Sequence, residues 1–204
     1  MTVLSAPASL VPGAARRVFT MSTSSKSKKI VMGVVIVLAL ALLVIKTFFV
    51  GFYRIPQNGM YPGLPARSRV FAARHSYADA SSVRRGDIVV FIREENGQRY
   101  NYIWRIVALP GESVVASGES LAVSGQTVQR QRIREADGET IFREQIGDAS
   151  YEVAFETSPR YTPPDVSIIV PPGEFFLMGD NRFDARDSRY FGPITFAAII
   201  GKKL

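Results

Sequence analysis

The sequence predicts a mainly β protein: one N-terminal transmembrane helix followed by a barrel-like β ectodomain. Three observations carry this. The run IVMGVVIVLALALLVI at 30–45 is unbroken by charge. Beyond it the chain shows only short apolar runs rich in Val, Ile, Phe and Tyr, separated by Gly, Pro and charged turns. No long amphipathic helical pattern follows the apolar run. The 204 residues suffice for one domain with a sizeable core, and an apolar share of 47% excludes a disordered polar chain.

Taken in order, residues 1–29 are expected to be an unstructured cytoplasmic start, with Met21 an alternative initiator to Met1. The uncharged run covers roughly 24 Å at a rise of about 1.5 Å per residue, a little short of a bilayer core. Lys46 snorkels to the interface, and Phe48, Phe49, Phe52 and Tyr53 suit an aromatic belt, which extends the span to 30–50. The length of the run, its lack of any polar face and the flanking charges argue against a buried core helix, and no clean small-x-small site for a cleaved leader follows it.

Charge sets orientation and excludes one class. The net charge is +7, yet Arg16, Arg17, Lys26, Lys28, Lys29 and Lys46 accompany no acidic residue up to position 46. The remainder holds 19 basic and 18 acidic residues, so a nucleic-acid-binding domain is not expected. Positive charge ahead of the span places the N-terminus in the cytoplasm and residues 51–204 outside. Absence of cysteine removes disulfides, Cys-ligated zinc and thiol catalysis. No metal or cofactor is expected.

Within 51–204 the expected strands are Val70–Ala73, Asp87–Arg93, Tyr100–Leu109, Ser113–Ala116, Leu121–Val123, Ser167–Val170, Glu174–Met178 and Ile199–Leu204. Pro-Gly turns at 110–111 and 172–173 punctuate them. The stretch from about 117 to 165 is more polar and reads as a less regular substructure inserted between core strands.

Four segments carry the chemistry: IPQNGMYPGL at 55–64, RGDIVVF at 85–91, YIWRIVALPGE at 102–112 and MGDNRFDARDSRYFGPI at 178–194. In this order they resemble the boxes of the bacterial signal peptidase I family. The resemblance covers about Phe48 to Leu204, with the anchor ahead of it as that family has. It implies an exported β domain that docks extended signal peptides beside its own strands and cuts with a Ser–Lys dyad.

Carried over residue by residue, the family nucleophile position is Gly59, the base position Trp104, the base-partner position Ala185 and the oxyanion position Gln57. Glycine offers no nucleophile, and an indole nitrogen only donates, so it takes no proton as a buried lysine does. Lysine is absent between Lys46 and Lys202. Tyr53, Ile55, Pro56, Met60, Tyr102 and Ile103 match positions lining the family's substrate cleft. Arg105, Asp180, Asn181, Arg182, Asp187, Ser188 and Arg189 match residues supporting the site, and the opposite charges of Asp180, Arg182, Asp187 and Arg189 predict a paired network.

The expectation is a bacterial cytoplasmic-membrane protein of the export pathway that has lost catalysis and binds signal peptides, or an active peptidase, beside the lipid bilayer. Two alternatives stand beside it. One is an active peptidase with a non-standard site, through Ser68 or His75. The other is a purely structural membrane protein whose cleft Trp104 fills.

Overall fold

The computed structural model describes residues 25–204. The expected unstructured start falls largely outside them. Its last five residues, however, are helical: α1 runs Ser25–Phe49. Lysine is a good helix former, so SKSKK extends the apolar helix backward by more than a turn. A window of this helix has mean hydropathy 2.8, and none of it is buried. One such helix beside a folded domain fits a single-pass membrane protein.

The chain divides into two units between Leu43 and Val44. The second is mainly β, in three antiparallel sheets. The largest contains β1 (Val50–Arg54), β2 (Arg69–Ala73), β3 (Ile88–Glu95), β4 (Gln98–Ala108), β12 (Glu174–Met178), β13 (Ile194–Thr195) and β14 (Ile199–Lys203). Their order is β1-β2-β14-β3-β4-β12-β13. A second sheet is β11-β5-β6-β7, from Val166–Ile169, Ser113–Ser117, Ser120–Val123 and Gln126–Thr127. The third is the meander β10-β9-β8, from Ala149–Glu156, Glu139–Ile146 and Gln129–Ala136.

All eight expected strands are present within a residue or two. Two regions differ. β1 starts at Val50, so that of the four aromatic residues read as a membrane belt Phe48 and Phe49 end α1 while Phe52 and Tyr53 pair with β2, Phe52 opposite Phe71. The segment taken as irregular folds into β8, β9 and β10. Its polar strands are joined at Asp137-Gly138 and Gly147, which adopt positive φ. Asn96-Gly97 makes the corresponding turn between β3 and β4.

The core has two parts, and β12 divides them. Its residues alternate, with Phe175 and Leu177 packing into one cluster and Phe176 and Met178 into the other. Burial on both faces explains why EFFLM shows no polar alternation. β4 divides the same clusters, sending Trp104 and Ile106 to the first and Ala108 to the second. The first cluster forms the floor of the site.

Candidate functional site

The segment after β1 leaves its sheet at Ile55 and returns at β2. Ile55 N–H donates to the Ser68 carbonyl at 3.0 Å, and Arg67 N–H donates to the Ile55 carbonyl at 2.7 Å. Ile55, Met60 and Leu64 are buried and anchor the loop in the core. Burial of each such side chain contributes roughly 1.5–3 kcal/mol. Gly59 is thereby held still, and its carbonyl accepts from Asn181 N–H at 3.1 Å. The first and last of the four sequence boxes thus meet directly.

Trp104 comes from β4, opposite Val89. Its indole lies against Gly59. A β-carbon at position 59 would stand 2.6 Å from Trp104 Cη2, 2.7 Å from Cζ3 and 3.0 Å from the Asp184 carbonyl oxygen. Any side chain there collides with the ring. Gly179 completes the floor: a β-carbon on it would overlap the Ala185 methyl and stand 3.0 Å from Trp104 Cζ3. The structure therefore brings Gly59, Trp104 and Ala185 together, around an indole that is only 5% exposed. The indole N–H has no hydrogen-bond partner among the described residues. A lone buried donor of this kind costs roughly 1–3 kcal/mol.

Beside the indole is a cavity of about 180 Å³ lined by Ile55, Pro56, Gln57, Gly59, Met60, Tyr102, Ile103 and Trp104, together with Tyr100 and Asn101. Five of the six expected cleft residues line it. Tyr53 does not. β1 ends at Arg54 and the chain turns, so Tyr53 lines a separate cavity of about 750 Å³. Tyr100 and Asn101 were not singled out by the sequence, though both lie in the strand that was. One strand edge borders the groove. β4 pairs with β12 only from Arg105 onward, so residues 98–104 pair with β3 alone.

The last box is held from beneath by ion pairs. Asp187 accepts from Gly179 N–H at 2.9 Å and pairs with Arg189 through Nε at 2.8 Å and Nη2 at 2.7 Å. Ser188 Oγ accepts from Leu177 N–H at 3.0 Å. Arg105 donates to Asp180 through Nε at 2.7 Å and Nη2 at 2.5 Å. Arg182 forms a bidentate pair with Glu144, and Asn181 Nδ2 donates to Glu139 at 2.8 Å. Of the four charges expected to pair with one another, only Asp187 and Arg189 do so; Asp180 pairs with Arg105 of β4 and Arg182 with Glu144 of β9, in the segment read as irregular. Burial alone would raise the Glu144 carboxyl. The Arg182 and Arg130 guanidiniums outweigh it and hold it below its ordinary value. Glu139 lies above its ordinary value, chiefly through burial.

The candidate replacement groups lie elsewhere. Ser68 Oγ donates to the Pro65 carbonyl at 2.6 Å. His75 is exposed, stacks on Phe48 at 5.3 Å and lines the larger cavity. Lys202 pairs with Asp87 at 2.7 Å, and Lys203 Nζ donates to the Leu204 carbonyl at 3.2 Å. None of these lines the groove.

Residues 27–204 match the protein family described as signal peptidase, peptidase S26. A signal peptidase I of Pseudomonas aeruginosa is 32% identical over 165 residues, 73% of this chain and 58% of that protein. The chain thus spans little more than half of that relative. Signal peptidase I S of Bacillus subtilis is 30% identical over 187 residues, 87% of this chain and 88% of that protein. A crystal structure of a signal peptidase I from Enterococcus faecalis is matched at 26% identity and a TM-score of 0.37, covering 59% of this chain and 95% of that chain.

Proposed function

This chain belongs to the signal peptidase S26 family, and on that premise we propose that it takes part in signal-peptide processing as a binder of exported peptides, without cutting them. One observation carries the proposal. The Trp104 ring occupies the space that a side chain at position 59 would need. By the family resemblance, position 59 is where the nucleophile belongs and position 104 where its base belongs. Glycine supplies no attacking oxygen, and the indole both fails as a base and fills the gap.

The groove supports binding. An extended peptide finds the edge of β4 with unused main-chain groups at residues 98–104, beside an apolar cavity. Its source is an exported preprotein, presented at the outer face of the bacterial cytoplasmic membrane by a chain whose α1 crosses with its N-terminus inside. An active signal peptidase is the partner that would receive or compete for the same segment.

Immobilised chain in detergent tests this. It is expected to retain a preprotein, to release it when free signal peptide is added, and to leave the retained molecule at full length. Failure to retain the preprotein, or retention that depends on no signal peptide, would overturn the binding role.

A further inference from the structure

The cavity of about 750 Å³ that Tyr53 lines has a wall chemistry of its own. Arg74, His75 and Ser76 give it hydrogen-bond donors, while Phe52, Ile199 and Ile200 give it apolar surface. No carboxylate lines it. Arg74 is exposed and enters no ion pair among the described residues. Its Nη1 donates to the Thr47 carbonyl at 3.3 Å, and a guanidinium carries five donors. The site is therefore cationic, accessible and open to an acceptor from outside.

Its position narrows the ligand. Arg74 N–H donates to the Phe49 carbonyl at 2.7 Å, which ties the end of β2 to the last turn of α1. His75 stacks on Phe48 in that turn. A helix of this length and hydropathy ends at the headgroup level of a bilayer. Phe48, Phe49, Phe52 and Phe71 are all about half exposed there, from 49% to 59%. Cationic donors beside exposed apolar rings suit an amphiphile whose head is an anion. The ammonium of a zwitterionic head would find no carboxylate on these walls.

We propose that this cavity binds the headgroup of an anionic phospholipid, from the leaflet at that end of α1. Arg74 and His75 take the phosphate, and the acyl chains lie over Phe48, Phe52 and Phe71. This site is independent of the peptide groove, so either reading can fail alone.

His75 is the chain's one histidine, so a single imidazole reports on the cavity. The full chain, with histidine labelled by ¹³C and ¹⁵N, is held in non-ionic detergent micelles. It is titrated with short-chain phosphatidylglycerol, short-chain phosphatidylcholine or glycerol phosphate. Phosphatidylglycerol is expected to move the His75 signals saturably, at roughly tenfold lower concentration than either of the others. Arg74→Gln should weaken phosphatidylglycerol binding at least about tenfold, the loss of one charge-assisted hydrogen bond. Lys28→Gln/Lys29→Gln, at the other end of α1, should leave it unchanged.

Equal affinity for the two lipids overturns the anionic site. Glycerol phosphate binding as tightly as phosphatidylglycerol overturns the lipid as its source. Weakening by the lysine pair but not by Arg74→Gln places the lipid elsewhere and overturns the cavity. Should Arg74→Gln fail to fold, His75 signals of the unmodified chain that stay still under saturating phosphatidylglycerol overturn it alone.

Discussion

Gly59 and Trp104 form one packing unit, and each constrains the other. The ring stands where a β-carbon at 59 would be, within 2.6 Å, so overpacking governs this pair. Gly59→Ser alone is expected to destabilise the protein by about 1–3 kcal/mol. The same change in a Trp104→Ala background should be close to neutral. A double-mutant cycle by thermal unfolding measures the difference, and additive effects would show that the ring and the glycine do not touch. Residue identity at this site was open to sequence reading, because each box fixes its own positions. Contact between the boxes was not. Nothing in the spacing of Gly59, Trp104 and Gly179 reveals that an indole lies on two glycines, since that depends on β4 meeting the loop after β1 and the segment that follows β12.

The last box depends on an element outside it. β9 contributes Glu144, which is fully buried and bridges Arg182 and Arg130. Removing one member of a buried pair leaves the other charge uncompensated, so Glu144→Gln is expected to cost about 3–5 kcal/mol. Amide exchange should quicken around residues 178–189 if β9 holds this loop, and unchanged protection there would separate the two. The same carboxylate predicts a pH dependence. Its folded value lies below the ordinary 4.5, so its stabilisation is present above that pH and lost as pH falls through the folded value. Acid unfolding of the unmodified chain should therefore be steeper than that of Glu144→Gln. β9 was hard to read because its faces alternate among Glu, Arg and Gln as well as Ile and Phe. Its buried polar residues look like solvent-facing ones until their partners are known. Asp137-Gly138 was the available signal, a turn dipeptide between two runs of eight residues.

At the scale of the whole molecule, the apolar helix and the β domain were both legible, because a long uncharged run and short β-rich runs differ in period and composition. The helix already includes Ser25, the first described residue, and β1 begins at Val50, since lysines extend helices readily and aromatic residues suit strands and interfaces alike. The orientation proposed from Arg16, Arg17, Lys26, Lys28 and Lys29 predicts that external protease digests residues beyond the helix in intact spheroplasts. Protection of that domain until lysis would reverse the topology.

The proposal centres on Gly59 and Trp104, packed against each other where the family resemblance puts the nucleophile and its base. Its most direct test is the time course of preprotein cleavage by the purified chain in detergent, run beside the Gly59→Ser/Trp104→Lys double variant. The account predicts that the unmodified chain yields no mature product. Mature product from the unmodified chain, cut at the preprotein's signal-peptide junction, would contradict it.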